Sequence, residues 1–333
     1  MHNSYSTSLS EKKILVTGAT GFIGKHLVTY LLDADCQIRL LIREKKTIQF
    51  HSDLKIEVSI GDLKDGESLM RACEGVDVII HLAGLAHVNN VNNSLSNEIN
   101  VNGTKMLISA AVEKKVSRFI LISSSLASRQ DLKPHSDTSY GQTKFEAEKA
   151  LLDAHLAGNI DGVTLRPVNV YGKGMKGNIA SLISLIKRGM MPPLPRLDTR
   201  ISLVGVDDVS QAIVLAISSE KASGNMYSLT DGKEYLISDI EQEIYRAVGR
   251  KMPSWRTPRL LLYLGINAIG FLMKVLNQLG IRVPIFAGIS SRTYKNLISE
   301  NVFDNSQAYE ELGFRPTTTF FSSLSDILLD DTG

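Results

Sequence analysis

Short apolar runs alternate with longer amphipathic stretches through the first half of the chain. Strands buried on both faces of a parallel sheet are continuously apolar, whereas helices repeat their apolar positions every three to four residues. The apolar runs are Lys13–Thr17, Gln37–Ile42, Lys55–Ile60, Val76–Leu82, Arg118–Ile122 and Gly162–Leu165. The helical stretches are Phe22–Leu32, Glu67–Cys73, Leu95–Lys114 and Tyr140–Leu156. Because crossovers between parallel strands are right-handed, this order predicts an α/β fold with a doubly wound parallel sheet.

A glycine-rich turn, Thr17–Gly24 (TGATGFIG), joins the first predicted strand to the first predicted helix. Glycines let a backbone approach a pyrophosphate closely, and a helix N-terminus offers unpaired N–H groups to phosphate oxygens. The GxxGxxG spacing in this position predicts a Rossmann-type dinucleotide site, although a tight strand–helix turn alone would look similar. The residues expected to bind the dinucleotide here are Gly18, Thr20, Gly21, Phe22, Ile23 and Gly24.

The end of the second predicted strand bears on the choice of cofactor. An acidic residue there binds the ribose 2′-hydroxyl of NAD, whereas an arginine accommodates the 2′-phosphate of NADP. Arg43, followed by Lys45 and Lys46, favours NADP(H). Glu44 keeps NAD(H) open as the alternative.

After about Asn169 the alternation of strands and helices weakens. Met190–Pro195 is rich in proline and cannot lie inside a helix. We therefore expect a flexible polar tail over residues 1–11 and a dinucleotide-binding domain over residues 12–168. Residues 169–333 should form mainly a smaller substrate-binding lobe, with some segments returning to the main sheet.

Composition narrows the function classes. The chain has 333 residues, with 37 Lys or Arg against 35 Asp or Glu, so no basic excess indicates a nucleic-acid partner. Cys36 and Cys73 belong to no Cys/His cluster, which predicts no metal site and fits a reducing, cytoplasmic location. The apolar run Leu260–Met273 is shorter than the ~20 residues that a membrane span needs. We expect it to pack within the protein, with contact at a membrane surface as the alternative.

A series of short motifs carries a family resemblance. They are TGATGFIG, Gly61-Asp62-Leu63, His81-Leu82-Ala83-Gly84, Asn100-Val101-Asn102-Gly103-Thr104, Ser123-Ser124-Ser125, Tyr140-Gly141-Gln142-Thr143-Lys144 and Leu165-Arg166-Pro167. In this order, from about Lys12 to Ser219, the chain resembles extended short-chain dehydrogenases/reductases. The resemblance implies an NAD(P)-dependent enzyme.

Tyr140 and Lys144 are the expected proton-transfer pair. Residues four apart share one face of a helix, and a neighbouring ammonium lowers the pKa of a phenol from about 10. Tyr140 could then act as a general acid/base near neutral pH. The alternative is a half-buried tyrosine at a helix start beside a surface lysine. The family resemblance places a second hydroxyl, which holds the substrate oxygen, on Ser125, with Ser124 as the next choice.

The resemblance also assigns cofactor contacts. It implies that Asp62 contacts the adenine, that Leu63 lines the adenine pocket and that Lys144 bonds the nicotinamide ribose. Asn100 should fix the strand beside the cofactor, and His81 should be structural. The other implied contacts are Leu82, Ala83, Gly84, Ser123, Tyr140 and Pro167.

The stretches around His81–Val88 and Leu165–Gly189 narrow the branch of the family. They resemble bacterial enzymes of nucleotide-sugar metabolism in O-antigen and lipopolysaccharide biosynthesis. The similarity is greatest to 4-ketoreductases of UDP-4-keto-6-deoxy-N-acetylhexosamines and to UDP-hexose 4-epimerases. The expected UDP-sugar contacts are His87, Ser125, Asn169, Lys176, Asn178 and Arg200. Lys176 and Asn178 precede or start a predicted helix, which suits a diphosphate, and an arginine can hold a phosphate in a fork.

Basic residues after the second strand suggest NADPH, so we favour the reductase over the epimerase. The segment from Ser125 to Tyr140 is short for this branch, and Ile201 stands where relatives have arginine. These departures suit a second alternative, a reductase of a non-nucleotide ketone in the same fold. A non-enzymatic nucleotide-binding scaffold would not need the Ser, Tyr and Lys set. The resemblance further implies a homodimer formed through the helices near Leu95–Lys114 and Tyr140–Leu156.

Overall fold

The computed structural model describes residues 12–34, 36–44, 56–85, 93–132, 139–279, 281 and 291–330. The chain divides into two compact units. The first comprises the residues up to Val168 together with Val204–Thr230 and Phe303–Thr317. The second comprises Asn169–Leu203, Asp231–Val302 and the residues from Thr318 onward.

The first unit is built on a seven-stranded sheet in the order β3-β2-β1-β4-β5-β6-β9. All neighbouring strands in it run parallel, which confirms the predicted doubly wound sheet. The strands are β1 (Lys13–Thr17), β2 (Gln37–Ile42), β3 (Ile56–Ile60), β4 (Val78–His81), β5 (Arg118–Ile122), β6 (Asp161–Pro167) and β9 (Met226–Leu229).

Helices cover both faces of this sheet. Leu15 packs into a core with residues of three of these helices, while its neighbours Ile14 and Val16, which point to the opposite face, are equally buried. The helices and helical turns of the first unit are α1 (Phe22–Asp33), α2 (Gly66–Cys73), α3 (Asn93–Asn97), a π-helical turn (Glu98–Asn102), α4 (Gly103–Glu113), α5 (Ser125–Leu132), α6 (Ser139–Leu156), α8 (Val206–Ser218), a 3₁₀ turn (Glu220–Ala222) and α12 (Ser306–Glu311).

The second unit contains a three-stranded sheet in the order β10-β8-β7 and its own apolar core. Its strands are β7 (Asn169–Tyr171), β8 (Arg200–Gly205), whose last residues belong to the first unit, and β10 (Glu234–Leu236). Its helices are α7 (Asn178–Arg188), α9 (Ile237–Ala247), α10 (Arg259–Gln278), α11 (Ser291–Ile298) and α13 (Phe320–Asp330). The buried carboxyl group of Asp231 accepts hydrogen bonds from the hydroxyls of Tyr171 and Tyr235, which ties β7 to β10.

Two features are absent from the described residues. Among them, no helix combines the length and the apolar character that crossing a membrane requires. No group of three or more His, Cys, Asp or Glu side chains among the same residues is arranged to hold a metal ion.

Candidate active site

The glycine-rich turn after β1 depends on close backbone contacts. Gly18 has φ +74°, and a Cβ atom on it would lie 2.6 Å from the backbone nitrogen of Ala83. A Cβ atom on Gly24 would lie 2.2 Å from the carbonyl oxygen of Gly18. A side chain at either position would force the backbone to shift, because the atoms it would meet are backbone. The turn is thereby held against the residues that follow β4.

The N-terminus of α1 is suited to an anion. Gly21 is the N-cap residue and supplies no side-chain cap, and the first turn of the helix contains no acidic residue. Uncapped N–H groups and the positive end of the helix dipole favour bound phosphate. Thr20 and Gly21 are exposed beside these groups, while Phe22 and Ile23 open the helix and are partly buried.

Most of the expected cofactor contacts lie at one edge of the sheet. The carboxyl ends of parallel strands meet there, and dinucleotides bind outside those ends where the strand order reverses, here between β1 and β4. The structure places these residues just after β2 (Arg43, exposed), after β3 (Asp62 and Leu63), after β4 (Leu82, Ala83 and Gly84), after β5 (Ser123) and at the end of β6 (Pro167). Lys45, Lys46 and His87 lie outside the described residues.

His81 at the end of β4 belongs to a chain of buried hydrogen bonds. The hydroxyl of Thr104 donates to the carbonyl of Asn100 over 2.7 Å, so its oxygen accepts from Nε2 of His81 over 2.9 Å. Nδ1 of His81 then accepts from the hydroxyl of Thr17 over 2.7 Å, and that oxygen accepts from the backbone nitrogen of Ala83. Burial lowers the pKa of His81 to about 3, so the ring is neutral and carries its proton on Nε2. These contacts show a positioning role.

Asn100 joins the end of β4 to the start of α6. Its side-chain oxygen accepts from the backbone nitrogen of Leu85 over 2.7 Å, and its amide nitrogen donates to the carbonyl of Leu85 over 3.1 Å. The same amide donates to the hydroxyl of Thr143, which in turn donates to the carbonyl of Tyr140. Asn100 lies in the π-helical turn, a local widening that often occurs at functional sites.

Lys144 is buried and aimed at the sheet. Its ammonium group donates to the carbonyl of Ile122 at the end of β5 over 2.7 Å. Burial lowers the pKa of Lys144 to about 8, while the nearby carboxylate of Glu148 opposes the shift. The burial rules out the alternative of a surface lysine.

The expected lowering of the pKa of Tyr140 is wrong for this structure. Desolvation of its phenol by burial raises the pKa of Tyr140 to about 12. A phenolate held away from water loses its solvation, and the ammonium of Lys144 is engaged with the carbonyl of Ile122. Tyr140 therefore carries its proton at neutral pH.

The three serines after β5 have different surroundings. Ser125, expected to hold the substrate oxygen, is the first residue of α5 and is buried. The hydroxyl oxygen of Ser124 accepts from the backbone nitrogen of Leu126 over 3.2 Å, so it caps the start of α5. The buried hydroxyl of Ser123 has no hydrogen-bond partner among the described residues. An orphaned hydroxyl at this edge fits a ligand that would supply the missing partner.

A comparison with known proteins identifies the family. Residues 14–230 match the model of the NAD dependent epimerase/dehydratase family. The chain belongs to this family. The match confirms the resemblance to extended short-chain dehydrogenases/reductases, and the protein is an NAD(P)-dependent enzyme of this type.

Relatives of this epimerase/dehydratase protein act on different substrates. The UDP-glucose 4-epimerase of Vibrio cholerae is 29% identical over 265 residues, which cover 74% of this chain and 78% of the relative. The 3-beta-hydroxysteroid dehydrogenase of Mycolicibacterium neoaurum is 26% identical over 339 residues, which cover 95% and 90% of the two chains. The crystal structure of the Thermotoga maritima UDP-glucose 4-epimerase with UDP-glucose has a TM-score of 0.74 at 19% identity, covering 96% of this chain and 98% of that one.

A buried ion pair near Lys144 was missed by the sequence analysis. Arg166 donates to both carboxylate oxygens of Glu148 over 2.8 and 2.6 Å, and both side chains are buried. This fork holds α6 against β6 and places a carboxylate one helical turn after Lys144. The signal was available, because Glu148 follows Lys144 by four residues and Arg166 lies within the Leu165–Pro167 motif.

Four of the residues expected to contact a UDP-sugar lie in the second unit. Asn169 opens β7 and is exposed, as are Lys176 and Asn178 at the start of α7. That helix has Gly177 as its N-cap, with no side-chain cap and no acidic residue in its first turn, which suits a phosphate. The guanidinium of Arg200 lies 3.0 Å from a carboxylate oxygen of Glu234, so binding a phosphate would mean exchanging that partner. These four assignments remain predictions.

Proposed function

We propose that the protein is a nucleotide-sugar oxidoreductase, a 4-ketoreductase of a UDP-4-keto-6-deoxy-N-acetylhexosamine used in surface polysaccharide biosynthesis. The observation that carries the proposal is the anchoring of the Tyr140 helix. The Lys144–Ile122 bond and the Asn100–Thr143 bond fix this helix at the strand ends, where the glycine-rich turn also lies.

The residues present fit an NAD(P) cofactor. The uncapped start of α1, the glycine turn and the orphaned hydroxyl of Ser123 are each explained by such a ligand. The pyrophosphate would lie at Gly18–Gly24 and the adenine near Asp62 and Leu63. Ala83, Gly84, Ser123, Lys144 and Pro167 would hold the nicotinamide end. When bound, the cofactor supplies or accepts the hydride.

The protonated state of Tyr140 favours the reductive direction. At neutral pH its phenol holds a proton, which it can give to a carbonyl oxygen as that oxygen becomes a hydroxyl. Lys144 fixes the helix through Ile122, and Ser125 or Ser124 would hold the same substrate oxygen. An enzyme that begins by oxidising an alcohol would need Tyr140 as a phenolate, so the phenol would first have to lose its proton.

The exposed position of Arg43 after β2 supports NADPH as the preferred cofactor. For the substrate, the uncapped start of α7 with Lys176 and Asn178 supports a diphosphate. A cytoplasmic homodimer that binds UDP-sugar is part of the same proposal.

Two other activities have specific support. A UDP-hexose 4-epimerase is supported by the similarity to the Vibrio cholerae enzyme. A reductase of a non-nucleotide ketone is supported by the match to a 3-beta-hydroxysteroid dehydrogenase over 95% of the chain and by the short segment between Ser125 and Tyr140.

The purified protein should oxidise NADPH in the presence of UDP-4-keto-6-deoxy-N-acetylglucosamine, measured as loss of reduced-nicotinamide absorbance. Interconversion of UDP-N-acetylglucosamine and UDP-N-acetylgalactosamine without net cofactor use would assign the epimerase instead. Turnover of a 3-ketosteroid, together with no binding of UDP by calorimetry, would assign the second alternative. Either result would overturn the ketoreductase.

A further inference from the structure

The charge of the chain is unevenly distributed. From Ile244 to Ser299 there is no Asp or Glu, although there are nine Lys or Arg. The rest of the chain therefore has 28 Lys or Arg against 35 Asp or Glu, and is acidic. The nine basic residues are Arg246, Arg250, Lys251, Arg256, Arg259, Lys274, Arg282, Arg292 and Lys295.

Helix α10 lies within this basic segment and is apolar on two sides. Leu262 and Ile266, four residues apart, face the core of the second unit and are buried. On the opposite side, Leu260, Leu264 and Phe271 follow one another at spacings of four and seven residues, which brings them onto one face. The α10 outer face, as we call it here, consists of Leu260, Leu261, Leu264, Phe271 and Leu272, which are 67, 59, 52, 71 and 51% exposed.

The segment before α10 and the start of the helix contribute an aromatic side chain and basic side chains next to the α10 outer face. Trp255, four residues before the helix, is 58% exposed. Arg250, Lys251 and Arg259 are exposed as well. Tryptophan and basic side chains beside an apolar helical face are typical of helices that lie in a membrane interface.

We propose that the α10 outer face docks the protein onto an anionic membrane surface, with the helix lying in the plane of the headgroups. Charge complementarity decides the occupant. Arg246 and Arg256 are paired with Glu243 and Glu241, whereas Arg250, Lys251 and Arg259 are exposed beside the face. Anionic headgroups attract these three exposed cations, and a second copy of the chain would bring the same charges against them. The helix lies on the membrane and does not cross it. This attachment does not depend on which ketone the enzyme reduces.

Vesicle sedimentation tests the docking. The full chain should sediment with vesicles of equal parts phosphatidylcholine and phosphatidylglycerol, and much less with phosphatidylcholine alone. Added salt should weaken the binding, because it screens the basic residues. Trp255 is the only tryptophan in the chain, so its emission should shift to shorter wavelength when the vesicles are added.

Paired variants separate docking from a general loss of solubility. Leu264→Asp with Phe271→Asp should weaken vesicle binding more than tenfold, since two apolar anchors become charged. Leu156→Asp adds a similar charge at a site of the first unit that is 74% exposed and should leave vesicle binding unchanged. Arg250→Gln and Lys251→Gln should each weaken binding about fivefold.

Three results would overturn the proposal. The first is no sedimentation with anionic vesicles, and the second is an equal loss in the Leu156→Asp control. The third is a wild-type protein that is a dimer by analytical ultracentrifugation and does not bind vesicles, together with an α10 variant that is a monomer. That result would assign the face to a second copy of the chain. Thermal melts of each variant show that the exposed substitutions leave the fold intact.

Discussion

Replacing Asn100 with leucine removes the link between the end of β4 and the start of α6 while nearly keeping the shape of the side chain. The side chain of Asn100 makes three hydrogen bonds: two with the backbone of Leu85 and one with the hydroxyl of Thr143. Leucine can make none of them. The nitrogen and carbonyl of Leu85 lose their partners, and Thr143 is no longer tied to the π-helical turn.

The expected cost follows from these bonds. Each contributes a net ~1 kcal/mol, so the free energy of unfolding should fall by about 3 kcal/mol. In a folding unit of this size, 1 kcal/mol corresponds to roughly 2–4 °C, so Tm should fall by about 6–12 °C. Because Thr143 bonds the carbonyl of Tyr140, turnover should fall as well, on the order of tenfold to a hundredfold.

Calorimetry or urea unfolding measures the loss, and Asn102→Leu is the matched control. Asn102 lies in the same π-helical turn but is exposed, and both variants gain the same helix propensity. The difference between them therefore isolates the hydrogen bonds of Asn100. Equal melting temperatures and equal turnover in the two variants would refute the role given to Asn100.

Three further predictions concern the cofactor turn and the buried lysine. Arg43→Ala should weaken NADPH binding about tenfold or more and spare NADH, because only NADPH offers a 2′-phosphate; equal effects in fluorescence titrations would remove the preference. Gly24→Ala should destabilise the fold by roughly 1–3 kcal/mol and weaken the binding of both NADPH and NADH, since its Cβ would lie 2.2 Å from the carbonyl oxygen of Gly18. The control Gly66→Ala, whose Cβ would meet only the end of a flexible side chain at 3.4 Å, should do neither. The lowered pKa of Lys144 means that the folded protein releases this proton near pH 8 and the unfolded chain only near 10.5, so stability should rise with pH across that window. In Lys144→Met this rise in stability should be absent. If the urea midpoints of the wild type and of Lys144→Met changed with pH in parallel, the lowered pKa of Lys144 would be contradicted.

The central strands could be predicted because their residues are apolar without interruption. The bounds of β1 and β5 match the predicted runs Lys13–Thr17 and Arg118–Ile122. Strand β9, which closes the sheet at Met226–Leu229, was not predicted, because four residues that include Ser228 carry too little pattern. Such a strand is defined by its partner β6 more than by its own sequence.

The π-helical turn could not be read from periodicity. The apolar positions of Leu95–Lys114 fit one continuous helix, and the widening at Glu98–Asn102 comes with tertiary hydrogen bonds. Asn100 reaches Leu85 and Thr143, which lie in other parts of the chain. Local propensity contains no information about such partners.

Sequence spacing placed Tyr140 and Lys144 on one helix but could not give their burial. The expected lowering of the pKa of Tyr140 assumed an ammonium that acts on the phenol. In the structure, desolvation dominates and the ammonium bonds the carbonyl of Ile122. The direction of a pKa shift depends on solvent access, which a spacing of four residues does not determine.

The most direct test of the account is the turnover of Tyr140→Phe, measured beside its affinity for NADPH. With UDP-4-keto-6-deoxy-N-acetylglucosamine as the ketone, the variant should bind NADPH as the wild type does and lose about 10²–10⁴-fold in rate, because only the phenolic hydroxyl, with the proton it donates, has been removed. A rate close to that of the wild type would show that the proton comes from another group and would contradict the mechanism.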